Sequence, residues 1–559
     1  MKRELRRLSE NEYDLLVIGG GIFGLFITWD AALRGLSVAL VDKSDFGSGT
    51  SSNSLRIIHG GFRHLRSFDL RNARRYIREQ AVFMKMAPHL VRPMPVVIPV
   101  YGNQFLRKGS LAAAVRVYNL LGSGLTGTIS TDGVKFENRV LSSDECMKFI
   151  PGLEQSDLRG GIVFTDCQIS NSERFTLEVA ASACDEGADL ANYLEVVGLL
   201  KDDTGVKGAK VKDNLTGDNF DIRARFIVNA SGPWINGLLN RIGNYVSVRG
   251  HGISRAFNLL VDRQLTDGYA LGLRRRIKNR DTAGLLSRNS RYLFITPWNS
   301  GSLIGTEHLT SSSDPDNFHI TDDELISFLN EINESYPYAS LKKENVAFVY
   351  GGHIPTNIDG NGHAGIENKN CILDHGQERG MKGLISVIGI KFTDARIVAE
   401  KTIDTVLRKM GKDHRPSKTD STVLSCSGYG QLEHYINEEI KKNDPELNPS
   451  STRKLIHAYG SSYREVLKSA DPGPENDLTR FDERSVIKAQ TVYAVKEEMA
   501  RKLSDVVFRR TDLGLNPSNI RDNLDEYAKI MGEELGWDDV RIKEEKKEVF
   551  SKLNAFHLI

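Results

Sequence analysis

Gly19, Gly21 and Gly24 carry the spacing GxGxxG. Such a turn can wrap a pyrophosphate: the first glycine permits the bend, the second lets the phosphates reach the backbone, and the third lets helix pack on strand. The helix that follows would present free N–H groups and a partial positive charge to the same phosphates. Asp42 stands 18 residues beyond Gly24, where a carboxylate can accept hydrogen bonds from a ribose diol. The expected ligand is a dinucleotide. Thr50, Ser51 and Ser52, followed closely by IIHGGFRHL, do not read as the helix that continues a plain NAD unit. Small hydroxyl side chains and glycines suit an extended chain wrapped along a flavin, which favours FAD.

The elements that must position these residues are legible around them. DLLVI (14–18) reads as a strand, an apolar helix runs from the glycines to Arg34 and Gly35, and SVALVD (37–42) reads as a second buried strand. A right-handed crossover makes the two parallel. Phe68 to Met86 reads as an amphipathic helix with a solvated charged face, stopped before Pro88. RFIVNA, RYLFITPW and SLIGTEH are strand-like, and Thr321 with Glu324 forms a capping box for the helix after it. GLISVIG (383–389) is another buried strand feeding a helix, which makes the nucleotide domain discontinuous.

The expected fold is therefore α/β: a discontinuous Rossmann-like FAD-binding domain, an α+β substrate domain on a mixed sheet, and an all-helical C-terminal domain. The core spans 1–410, with FAD-binding segments near 12–90, 150–235 and 365–410 and substrate-binding segments near 91–149 and 236–364. The polar stretch 411–425 reads as a linker and 426–559 as the helical domain.

The 559 residues include 74 basic and 73 acidic side chains, so no global field draws in nucleic acid. Cys146, Cys167, Cys184, Cys371 and Cys426 are scattered without a CxxC pair, which reads as reduced and cytoplasmic. The basic MKRELRR end lacks the roughly 7–15-residue apolar stretch of a secretory signal. No window reaches the roughly 18 apolar residues of a membrane span. The thirteen histidines, His251 and His59 included, lack paired ligands at metal-binding spacing, so no metal is expected. No GxSxG elbow supports a hydrolase.

The run IGGGIFGLFITWDAALRGLSVALVDKSDFGSGTSSNSLRIIHGGFRHL (18–65) resembles the FAD-dependent glycerol-3-phosphate dehydrogenase/oxidase family, within the DAO-type flavoproteins. Further matches are MAPHLVRPMPVVIPVY (86–101), NASGPW (229–234), PWNSGSLIGTEH (297–308), GIKFTDAR (389–396) and MARKLSDVVFRRTDLG (499–514). The resemblance implies an enzyme that oxidises the secondary alcohol of glycerol 3-phosphate, or a related polyol phosphate, and passes electrons to a quinone or another acceptor. It implies FAD contacts from Gly19, Gly21, Gly24, Asp42, Thr50, Ser51, Ser52, Gly232, Lys391, Phe392 and Thr393. It matches the active-site arginine and lysine to Arg63 and Lys391, which would orient substrate and stabilise its alkoxide. His64 is the assigned base, with His59 and His353 as alternatives.

Three positions depart from the family pattern. Asn258 replaces a histidine, Ile354 a phosphate-binding arginine, and Lys369 another arginine. Asn258, His353 and Lys369 are the expected substrate contacts, and Arg255 or one of Arg274 to Arg276 could restore positive charge. The altered pocket keeps open an oxidase of an amine, amino acid or other hydroxylated substrate, and a flavin-binding interaction protein without turnover. The resemblance is also compatible with a homodimer and with peripheral contact on the inner face of the membrane, through MKRELRR or the helix at 541–553.

Overall fold

Leu15, Leu16 and Val17 are fully buried because the strand Glu12–Ile18 lies inside a sheet covered on both faces. In the computed structural model its sheet runs Leu384–Ile388, Asn219–Asn229, Glu12–Ile18, Val38–Val41 and Asp189–Ala191, all parallel. Cys371–Asp374 adds an antiparallel edge, and a hairpin of Leu194–Asp202 and Gly205–Asp213 extends from Asn219–Asn229. The structure describes residues 1–102, 108–125, 136–243, 251–275, 292–312, 314–358, 364–366, 370–443, 447–469, 483–515 and 520–555.

The glycine-led helix Ile22–Leu33 is buried almost throughout. Its bulky Leu25, Phe26 and Trp29 are absorbed by packing: Phe26 meets Phe83 and Phe175, and both of these rings meet Phe392. That cluster ties the nucleotide-binding helix to the far end of the candidate site. The helices Ser172–Asp185 and Ala395–Lys409 complete the layer over it.

A second sheet pairs Val91–Tyr101 with Leu158–Ile169 along nearly their whole length and continues through Ala270–Arg274, Tyr292–Trp298, Gly301–Ser312, His251–Val261 and Val346–Ile358. Leu158–Ile169 and Ile57–Ile58, which fall in segments expected to bind FAD, both pair in this sheet. Long-range pairing with Val91–Tyr101 decided the matter, and no local pattern encodes it.

Two polar features also differ from expectation. The helix Leu70–Met86, capped by Asp69 through the N–H of Asn72, does not leave its whole polar face in water. Glu79 is buried and accepts from Nε and Nη2 of Arg396, each at 2.6 Å, and Gln80 donates to the carbonyl of Thr165 at 3.2 Å. The expected linker is fastened down as well. Arg34 and Arg415 exchange guanidinium-to-carbonyl bonds of 3.0 and 2.9 Å, Ser417 donates to Asp30, and Leu424 is fully buried.

Beyond it, the region is helical as expected, from Leu432–Asn443 to Asp539–Ala555. Val506, Val507, Leu524 and Met531 pack with Leu303, Phe348 and Tyr350 of the second sheet. This C-terminal region shares a core with the rest. Among the described residues no helix is long and apolar enough to cross a membrane.

Candidate active site

The carboxyl ends of the parallel strands open into a cavity of about 1240 Å³. In an open parallel sheet the ligand lies in the crevice outside the carboxyl ends of the strands. Gly19 takes φ +109°, and a Cβ on it would lie 2.6 Å from the carbonyl oxygen of Ala230. A Cβ on Gly24 would lie 1.9 Å from the carbonyl oxygen of Gly19, so this glycine serves helix-to-strand contact, as its spacing predicts. Gly21 lines the cavity at the start of the helix, where Ser51 Oγ accepts the N–H of Ile22 at 3.0 Å.

Asp42 also lines the cavity. Its Oδ2 accepts the N–H of Gly20 at 2.6 Å and its Oδ1 that of Ser44 at 2.8 Å. Burial pushes its carboxyl up to about 6, against the pull of these two N–H groups. Gly232, at φ +56° with open space where a Cβ would stand, and Trp234 line it too. The indole of Trp234 donates to Asp316 at 2.7 Å and lies under the ammonium of Lys43 at 4.7 Å. A glycine cradle, a helix N-terminus and a buried carboxylate in one cavity larger than the usual ~300–1,000 Å³ ligand pocket fit a dinucleotide with room for a small substrate.

Not every residue expected to touch the cofactor lines the cavity. Thr50 and Ser51 line the cavity, whereas Ser52 turns away and donates to the carbonyl of Gly47 at 2.5 Å, bracing the loop. Lys391 and Phe392 line it, but Thr393 is buried behind them.

At the other end the cavity meets His59, Asn258, Thr306, His353, Ile354 and Lys391. His59 Nδ1 lies 2.8 Å from Asp166 Oδ2, and the other oxygen of this buried carboxylate accepts the N–H of Gly60 at 2.7 Å. A carboxylate beside Nδ1 favours the Nδ1–H tautomer and leaves the Nε2 lone pair available on a ring that borders the cavity. His64, the expected base, does not border it. The short helical turn Phe62–Ser67 directs its ring onto Tyr76, centroids 4.9 Å apart, with Asp69 3.9 Å from Nδ1.

Lys391 Nζ lies 3.4 Å from the hydroxyl of Tyr76, which donates to Asp394 at 2.9 Å. Asn258 is committed on both sides: it donates to the carbonyl of Asn53 at 3.1 Å and accepts from Thr306 at 2.7 Å. His353 is buried, its imidazole held below the usual histidine range by burial and then by Arg255. Arg255 itself is paired with Glu324, and Arg275 with Glu331 and Glu307, so neither supplies charge to the cavity. Lys369, Arg276 and the side chain of Arg63 lie outside the described residues.

The sequence reading missed Asp166. Its one signal was an acidic residue inside the apolar run IVFTDCQI, which a strand tolerates only where a partner waits. It also missed Lys502, Arg509, Glu548 and Lys552, which reach the cavity from the helical C-terminal region.

The sequence profile of the FAD dependent oxidoreductase family matches residues 14–391, and that of the C-terminal domain of alpha-glycerophosphate oxidase matches 417–542. The chain is 32% identical over 524 residues to a glycerol-3-phosphate dehydrogenase of Synechocystis, covering 92% of this chain and 91% of that protein. It is 30% identical to the mitochondrial glycerol-3-phosphate dehydrogenase of Homo sapiens, covering 98% of this chain and 74% of that protein. A solved glycerol-3-phosphate dehydrogenase from Bacillus halodurans, complexed with FAD, superposes with a TM-score of 0.76 at 25% identity, over 98% of this chain and 96% of that one.

Proposed function

The chain belongs to the FAD-dependent oxidoreductase family, and from that membership we propose that it oxidises the secondary alcohol of glycerol 3-phosphate, or of a related polyol phosphate, to the ketone. The substrate class is taken from the names of the relatives. The observation that carries the chemistry is the His59–Asp166 pair, which shares one cavity with Lys391 and the glycine turn.

Bound FAD supplies the acceptor for the hydride that leaves carbon. The chain's own residues manage the proton and the charge. His59 takes the hydroxyl proton on Nε2, and Asp166 stabilises the imidazolium that forms. Lys391 donates to the oxygen as negative charge develops, with Tyr76 and Asp394 holding the ammonium in place. Arg63 orients the substrate, assisted by His353 and Lys369. Asn258 shapes the wall between its two committed hydrogen bonds.

Anaerobic mixing of the FAD-loaded protein with glycerol 3-phosphate tests the reading: the yellow flavin should bleach. A second reading, an amine, amino acid or less charged hydroxylated substrate, is supported by Ile354 on the cavity wall and by the engagement of Arg255 and Arg275 elsewhere. Bleaching by those compounds alone would select it. No bleaching by any class would leave a flavin-binding protein without turnover.

The electrons then pass to a quinone or another acceptor, and re-oxidation by a soluble quinone against oxygen separates dehydrogenase from oxidase. Contact with the inner face of the membrane and a homodimer belong to the same proposal. Flotation with liposomes and sedimentation test them.

A further inference from the structure

Arg509 and Arg510 sit in the helical C-terminal region, yet their guanidinium groups converge on one carboxylate of the nucleotide domain. Arg509 Nε donates to Asp45 Oδ2 at 2.6 Å, and Arg510 donates to both oxygens of Asp45 at 2.6 and 2.8 Å. Asn192 adds a bond to Asp45 at 2.9 Å and one to the carbonyl of Met499 at 2.9 Å. Burial raises the Asp45 carboxyl, but the two arginines outweigh it and hold the group below the usual carboxylate range.

Asp45 is part of the loop that carries the ribose-side carboxylate. Ser44 donates to Asp42 at 2.8 Å, Asp42 accepts the N–H of Gly20 at 2.6 Å, and Gly47 donates to the carbonyl of Gly20 at 2.9 Å. Short hydrogen bonds, joined through the backbone of Ser44 and Asp45, therefore connect the C-terminal arginines to the glycine turn.

Lys502 approaches the same loop. Its ammonium lies 5.9 Å from the ring centroid of Tyr193, whose N–H donates to the carbonyl of Ser44 at 3.0 Å. The next residue, Leu194, donates to the carbonyl of Asp42 at 2.7 Å. Lys502 thus stands over the side chain of a residue whose backbone braces the Asp42 loop, and both Lys502 and Asp42 line the cavity. Lys552 and Glu548 accompany it, Glu548 accepting from Lys502 at 3.0 Å and from Lys552 at 2.8 Å. Two ammonium groups share one carboxylate, which leaves positive charge facing the cavity.

We propose that the helical C-terminal region is a wall of the cofactor site: Lys502 contacts the adenosine half of the bound dinucleotide, while Arg509 and Arg510 are positioning residues that fix the Asp42 loop through Asp45. This rests on the FAD reading above. It assigns the C-terminal region a part in cofactor retention and gives its contact with the core a chemical purpose beyond packing.

The test uses the full chain, deflavinated and reloaded, with FAD, ADP and FMN as probes. ADP carries the adenosine and pyrophosphate of FAD, and FMN carries the flavin half. Lys502→Met, at a partly exposed site, should weaken FAD and ADP about tenfold, the size of one charge-assisted contact, and leave FMN uptake unchanged. Arg509→Met should weaken ADP more than FMN.

Unchanged FAD and ADP affinity in Lys502→Met overturns the proposal. So does an equal loss of ADP and FMN in either variant, which would mark a general loss of structure. Should Arg509→Met fail to fold, Lys502→Met decides alone. A wild-type protein that takes up no FAD at all would instead defeat the FAD reading itself.

Discussion

A histidine serves as a base when one nitrogen is held as acceptor and the ring is held in one direction, and Asp166 does both for His59. Replacing His59 by Ala is expected to slow anaerobic flavin reduction by roughly 10²–10⁴-fold while FAD stays bound. Asp166→Asn should slow it by a smaller factor. His64→Ala should leave the rate near that of the parent, because His64 stacks on Tyr76 outside the cavity. Stopped-flow absorbance reads all three, and a large loss in the His64 variant would return the role to His64. The sequence put both histidines in one loop; what separated them was a carboxylate 107 residues away, beyond the reach of any local pattern. Asp42 adds a pH dependence. In the proposed FAD complex ribose hydroxyls would donate to its ionised form, and burial pushes the carboxyl up to about 6. FAD affinity should therefore hold above that pH and fall as the pH drops through it. In the empty protein the same burial makes the ionised carboxyl a cost to stability above about 6, relieved as protons bind. Asp42→Asn should flatten the pH dependence of a fluorescence-monitored FAD titration.

Among the elements, those whose cause is local were readable. The glycine turn, its helix and the strand ending at Asp42 follow from spacing over a few dozen residues, and the Thr321–Glu324 capping box forms with both of its bonds. Elements defined by distant partners were not. Leu158–Ile169 is as apolar as a strand of the first sheet, and only its pairing with Val91–Tyr101 assigns it to the second. The charged helix Leu70–Met86 hid its one buried ion pair for the same reason, since Arg396 lies 317 residues from Glu79. Burial raises the Glu79 carboxyl and Arg396 opposes that rise. Glu79→Ala would strand a buried guanidinium, with Glu400 and Thr419 as its remaining partners. The expected cost is about 3 kcal/mol, seen as a lower melting temperature; an unchanged melting temperature would mean that the pair contributes nothing net.

Across the whole molecule, the polar stretch 411–425 has the composition of a tether and the bonds of a strap. Ser417 on Asp30, the Arg34–Arg415 exchange and buried Leu424 hold it against the nucleotide-binding layer. Limited proteolysis of the native protein is expected to spare this stretch, and early cleavage there would mean that the helical C-terminal region separates easily from the core. Composition alone could not distinguish the two, because serine, lysine and aspartate serve a solvated loop and a hydrogen-bonded one equally well. Trp234 carries one more consequence. Of the four tryptophans, it is the one that borders the cavity among the described residues, so light absorbed by its indole should pass to a flavin bound in that cavity. The protein thus contains its own optical gauge of loading: its ultraviolet emission dims as FAD enters and brightens as it leaves, with no label attached.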